Sequence, residues 1–197
     1  MNLAIADDDD TVARTCPEAA VQRAQRMYDH GITSVMELCV GPSLRQLHLA
    51  YRQKGIFCCG VDIDVRWKNY AEQWNLQNEM IVSDALRTMY HAQAVVFAPP
   101  VSRGCTGKRE DMLRIDEVGP RYLDFLAEYV RQRCCGISRP QLAVLVLPAR
   151  STRGDRIDRE QFNRLRSDCY EYADHVETFE IKVGRRQITK YVELWLS

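Results

Sequence analysis

No apolar run in the 197-residue chain approaches the ~20 residues that cross a bilayer. The amino terminus, MNLAIADDDD, has neither the basic segment nor the apolar stretch of a signal peptide. The chain is therefore expected to be soluble and cytoplasmic, without membrane contact. Net charge is also missing: 27 basic and 27 acidic side chains cancel, so bulk charge predicts no affinity for nucleic acid. Lysine is scarce, 5 residues against 22 arginines. That bias fits either a GC-rich genome or a use for the arginine fork, which suits phosphate and carboxylate. Eight cysteines are present, but no CxxC and no Cys/His cluster with zinc spacing, so no metal is expected. Several cysteines lie in apolar segments, where a free thiol behaves as a small hydrophobe. The four histidines show no triad logic, and the nucleophile elbow of Ser-His-Asp hydrolases is lacking.

What remains is an ordinary globular composition, 46% hydrophobic and 27% charged, at a length suited to one domain. Residues 1–12 are expected to form a disordered acidic tail, because Asp7–Asp10 repel one another and bury nothing. Residues 13–197 are expected to form one domain. Thr15 and Glu18 have capping-box spacing, which predicts a helix from Thr15 to about Asp29. Buried strands are predicted at Ser34–Val40, Ile56–Ile63, Glu79–Ser83, Ala94–Ala98 and Leu142–Leu147. Helices are predicted at Pro42–Lys54, Trp67–Trp74 and Tyr122–Arg133, with another after Asp158. The alternating segments His175–Val183 and Ile188–Leu196 flank Gly184-Arg185-Arg186-Gln187 and predict an antiparallel hairpin. The expected fold is α/β: a doubly wound, mostly parallel seven-stranded sheet, helices on both faces, closed by a C-terminal hairpin.

In such sheets ligands bind beyond the carboxyl ends of the strands. Those ends read Glu37-Leu-Cys39-Val-Gly41-Pro-Ser43, Val61-Asp62-Ile63-Asp64, Ser83-Asp84-Ala85 and Ala98-Pro99-Pro100. Gly41 permits a tight turn and a close backbone approach by a ligand. Asp62, 21 residues later, is placed to accept both hydroxyl hydrogens of a ribose. Asp84 either accepts from an adenine amino group or caps the next helix. A nicotinamide dinucleotide fold also puts an acid about 20 residues beyond its glycine turn, but GxGxxG is absent here.

The order of elements and these four loops resemble the class I S-adenosylmethionine-dependent methyltransferases, over about residues 13–197. In that family an acidic residue is followed by alternating glycines. Glu37 and Gly41 match, while Cys39 and Ser43 stand where glycines are usual. The resemblance implies S-adenosyl-L-methionine as cofactor, held by Glu37, Cys39, Gly41, Ser43, Asp62, Ile63, Asp84, Ala85 and Ala98. It implies that Glu37 faces the cofactor's amino-acid moiety, that Asp62 holds the ribose and that Asp84 lies by the adenine. Ala98-Pro99-Pro100-Val101 resembles the acceptor loop of methyltransferases acting on exocyclic amines of bases. Ala98 replaces the polar residue of that loop and Val101 its aromatic residue. Pro99, Pro100 and Ser102 are the candidate catalytic residues lining the acceptor pocket. The same stretch resembles RNA cytosine-C5 methyltransferases, but Pro100 holds the slot of their nucleophilic cysteine, and Cys105 lies five residues later.

Basic side chains at Arg103, Lys108 and Arg109, at Arg150, Arg153 and Arg156, and at Arg185 and Arg186 are expected to converge on this edge. They form either a solvated rim or a seat for an anionic acceptor such as RNA or DNA. Arg103, Lys108, Arg109 and Arg153 are the candidate acceptor-binding residues. The expected activity is methyl transfer to a nucleic acid or another anionic acceptor. The alternative is a module that binds the cofactor or a partner without turnover.

Overall fold

A computed structural model of the chain describes residues 15–99, 115–135, 140–148, 159–183 and 188–197. The expected tail at 1–12 lies outside these residues, as do Pro100, Ser102, Arg103, Cys105, Lys108, Arg109, Arg150, Arg153, Arg156, Arg185 and Arg186. The described elements are α1 (Pro17–Asp29), β1 (Ser34–Leu38), α2 (Leu44–Gln53), β2 (Phe57–Asp62), α3 (Val65–Glu72), β3 (Met80–Val82), β4 (Ala94–Phe97), α4 (Ile115–Cys135), β5 (Leu142–Pro148), α5 (Arg159–Cys169), β6 (Val176–Val183) and β7 (Ile188–Leu196). Seven strands form one sheet in the order β3-β2-β1-β4-β5-β7-β6. The pairs β1–β2, β1–β4, β2–β3 and β4–β5 are parallel, while β7 runs antiparallel to both β5 and β6. The sheet is thus mostly parallel with an antiparallel final hairpin, as the alternation at the C-terminus predicts.

Both faces of the sheet are covered. On one, Val35, Cys58, Val96, Val144 and Trp195 pack with Ala20, Ala24 and Met27 of α1, Leu44, Leu47 and Tyr51 of α2, and Trp67 and Tyr70 of α3. On the other, Met36, Leu38, Val61, Val95, Phe97 and Leu145 pack with Phe125, Leu126 and Tyr129 of α4 and Cys169 of α5. Strand β5, buried from Leu142 to Leu147, contributes to both. This explains why it reads as a continuous apolar run rather than an alternating one. Gly60 lets α2 sit close on β2, because a Cβ there would lie 2.8 Å from both Leu44 and Val40. Among the described residues, Cys16, Cys39, Cys58, Cys59, Cys134 and Cys169 form no disulfide. Burial pushes Cys169 up to about 12, which keeps it protonated and inert.

Two helix starts differ from the sequence reading. The expected capping box is not formed: α1 begins at Pro17 with Cys16 at the N-cap and no side-chain cap. The Thr15 N–H instead donates to Ser43 Oγ (2.8 Å), so a long-range contact replaces the local one. Helix α4 starts at Ile115, not near Tyr122, and runs through Gly119-Pro120. Pro120 forfeits only the bond to the Asp116 carbonyl, close to the helix start.

Candidate active site

The carboxyl ends of β1, β2, β3 and β4 lie side by side, joined by backbone bonds beyond the strands. The Val40 N–H donates to the Val61 carbonyl (3.1 Å), Ser83 N–H to Asp62 (2.9 Å) and Ala98 N–H to Leu38 (3.2 Å). Strand β1 has β2 on one side and β4 on the other, so the strand order reverses there. A crevice opens at such a reversal.

The chain leaves β1 through a tight turn. Cys39 has φ +58° and Gly41 φ +50°, and residues Gly41–Ser43 form a 3-10 turn that leads into α2. Gly41 needs its missing Cβ for this conformation. A Cβ would meet nothing nearer than Trp67 at 4.0 Å, so space beside the turn is left open. Cys39 adopts a left-handed conformation with a side chain attached, which costs about 1–2 kcal/mol. Cys39→Gly relieves that strain and gives back part of it in chain entropy. A net stabilisation of about 0.5–1 kcal/mol is expected, read as a rise in Tm.

Asp62 closes the turn from β2. Its Oδ2 accepts the Gly41 N–H (2.9 Å) and its Oδ1 the Asp64 N–H (2.9 Å). A carboxylate has about four lone-pair sites, so acceptor capacity remains for a further donor. Burial pushes the Asp62 pKa up, and the N–H bonds from Asp64 and Gly41 pull it back only in part. Ile63 follows with 73% of its surface exposed, an apolar side chain beside the carboxylate. Asp64 caps α3 by accepting the Arg66 N–H (3.0 Å) and pairs with the Arg66 guanidinium. Asp84 caps the turn after β3: Oδ1 accepts the Leu86 N–H (3.0 Å), with Arg87 3.7 Å from Oδ2. Ala85 is buried and Ala98 half-buried; Pro99 is buried at the end of β4. Ser43 is buried and held by its bond from Thr15.

Glu37 departs from expectation. It does not face the edge; it is 1% exposed and turned into the core. Oε1 accepts from Tyr51 Oη (2.5 Å) and from Arg23 Nη1 (3.2 Å), and Nη1 also lies 3.3 Å from Oε2. Arg23 Nε donates to Glu193 Oε1 (2.6 Å), and Trp195 Nε1 donates to Glu193 Oε2 (3.0 Å). The physical reason is saturation: an arginine on the buried stripe of α1 claims the carboxylate before a ligand does. Burial alone would lower the Arg23 pKa, but Glu193 and Glu37 outweigh it and hold it well above its ordinary value. Burial raises the Glu37 pKa, and Arg23 and Tyr51 offset this only in part.

The sequence reading assigns Arg23, Tyr51 and Glu193 no role at the site. A signal exists: Arg23 falls on the same helical face as Ala19, Ala20 and Met27, and Glu37 and Glu193 lie inside apolar strands. Charges in such positions have to find one another.

No protein-family model matches the sequence, and no curated protein matches it. Solved structures do resemble the fold. The methyltransferase domain of bacterial CtHen1-CN superposes with a TM-score of 0.61 at 11% identity, over 91% of this chain and 97% of that one. Magnesium protoporphyrin IX methyltransferase from Synechocystis PCC 6803, with bound SAM, gives 0.59 at 11% identity, over 92% and 79%. The hMettl16 catalytic domain in complex with MAT2A 3'UTR hairpin 6 gives 0.59 at 16% identity, over 92% and 69%. With this strand order, this hairpin and these neighbours, the chain has the class I methyltransferase fold.

Proposed function

We propose that this protein is an S-adenosylmethionine-dependent methyltransferase acting on a nucleic acid or another anionic acceptor. In this reading residues 13–197 form a single doubly wound domain behind an acidic segment at 1–12. The observation that carries it is the Asp62–Gly41 bond at the point where the strand order reverses.

The residues fit the cofactor. Asp62 has acceptor capacity left over from its backbone N–H partners for the ribose hydroxyls. Gly41 leaves room beside Trp67 for a ligand to approach the backbone. Ile63 offers an exposed apolar surface to an adenine face, with Asp84 and Ala85 at its edge. Cys39, Ser43 and Ala98 line the remaining wall; Glu37 does not. When bound, S-adenosylmethionine supplies a methyl group on a positively charged sulfur, open to in-line displacement. The protein's task is then alignment and exclusion of water rather than proton transfer. Pro99 and Pro100 lack an N–H and have fixed φ, so they present carbonyls in a preset geometry. With Ser102 they are assigned to the acceptor pocket. Arg103, Lys108, Arg109 and Arg153 are assigned to the acceptor's negative charge. One similar structure was solved with a 3'UTR hairpin, which supports a nucleic-acid acceptor.

Calorimetry with S-adenosylhomocysteine tests the cofactor; no heat and no thermal shift at millimolar ligand would sink the proposal. Transfer of labelled methyl into total RNA, total DNA and cell extract tests the activity. Binding without transfer into any fraction would leave a binding module instead. For a nucleic-acid acceptor, Arg109→Ala and Arg153→Ala are each expected to flatten the salt dependence of acceptor binding by about one phosphate. Titrations across a salt series read this directly, with cofactor affinity unchanged.

A further inference from the structure

Helix α1 meets the candidate site at two points. At its centre, Arg23 bonds to Glu193 on β7 and to Glu37 on β1, two residues before the left-handed Cys39. Ahead of its first turn, the Thr15 N–H is held by Ser43 Oγ, the last residue of the Gly41 turn. Tyr51 brings α2, which begins directly after that turn, onto the same Glu37 carboxylate. The three segments that shape this end of the crevice are therefore the β1 turn, the start of α2 and the chain preceding α1. All three are referenced to one guanidinium that is 2% exposed.

We propose that Arg23 is a positioning residue for the adenosyl cofactor. It touches no ligand. It sets the height and rotation of α1 over the sheet, so that Thr15, Ser43 and the Cys39–Gly41 turn together hold the cofactor's amino-acid end. A planar fork with Nε on one carboxylate and Nη1 on another fixes a direction that a point charge or an apolar chain does not. A network that served stability alone behaves differently, because buried ion pairs can be exchanged for neutral groups of similar shape with little loss of stability. The inference rests on the methyltransferase reading of the site.

The test is the neutralised network, Arg23→Met with Glu37→Gln and Glu193→Gln. Three quantities are measured: Tm, the Kd for S-adenosylhomocysteine, and amide hydrogen exchange of residues 15–22 without ligand. The expected result is a Tm near that of the parent, a Kd raised about tenfold, the scale of coupling between linked sites, and faster exchange at the start of α1. A folded variant whose Kd stays within about twofold, the usual margin of independence, overturns the proposal. Should the triple variant not fold, Ser43→Ala cuts the second attachment and leaves Arg23 in place. It is expected to raise the Kd about threefold or more, the share of one hydrogen bond, and to speed exchange at Thr15 and Cys16. Unchanged Kd and exchange in that variant also overturn it. A parent protein that binds no S-adenosylhomocysteine defeats the methyltransferase reading instead, and exchange alone then decides whether Arg23 governs α1.

Discussion

Arg23→Ala is expected to destabilise the fold by about 3–5 kcal/mol, the usual cost of removing one partner from a buried ion pair. The change strands two carboxylates, Glu37 and Glu193, each 1% exposed, and leaves a void beneath α1. Tyr51 and Trp195 still donate to them, but no positive charge remains within the network. The effect carries a pH signature. Burial already raises the Glu37 pKa in the folded parent, so the folded state holds that proton more tightly than the unfolded one. Such a group favours folding below its unfolded pKa, and that contribution is lost as pH rises through the folded pKa. Without Arg23 the folded pKa moves further up, and the window widens. The gap in Tm between parent and variant should therefore narrow as pH falls towards the ordinary glutamate range. Thermal unfolding of both proteins over a pH series measures it; a gap that is small at neutral pH, or that widens in acid, contradicts the account.

This network marks the boundary of what the sequence discloses. The four loops were legible because each follows a buried strand, and because open α/β sheets bind ligands on one edge only. That order places Gly41 beside Asp62, and the bond between them follows from proximity. The hairpin was legible because no helix fits between its strands. Asp84 is two-valued in the sequence, and the structure adds that its Oδ1 accepts the Leu86 N–H. Glu37 was misjudged because a family motif describes spacing along the chain and says nothing about competitors from elsewhere. Arg23 lies 14 residues away in sequence and Glu193 156 residues away, and only the folded packing of α1 across β1 and β7 joins them. Thr15 went wrong in the same way: its spacing to Glu18 suggested a cap, but Ser43 was nearer in space. Local patterns predicted the elements, and long-range polar partners redirected individual side chains.

Asp62 holds the turn after β1 through the Gly41 N–H, and on the proposed reading its removal is expected to have the largest effect on ligand binding. If Asp62 holds the ribose as proposed, Asp62→Ala takes away two charge-assisted hydrogen bonds to its hydroxyls and weakens S-adenosylhomocysteine binding by about 1–3 kcal/mol. It also frees the Gly41 and Asp64 N–H groups. Water can reach this half-buried position, so the stability cost should be smaller, about 1 kcal/mol. The contrast with Arg23→Ala is the useful feature: one variant loses affinity with its stability nearly intact, the other loses stability. The sign of the pH dependence follows from burial, which raises the Asp62 pKa above the ordinary aspartate value. Its proton thus favours the ligand-free folded state, and ionising it costs stability as pH rises through the folded pKa. Ribose hydroxyls donate to the carboxylate and favour the ionised form. Affinity in the parent should consequently rise with pH just above the ordinary aspartate range, with proton release on binding, and Asp62→Ala should abolish both. Calorimetry in buffers of different ionisation enthalpy detects the released proton. An affinity loss in Asp62→Ala without loss of that proton linkage would mean that another group answers the ligand.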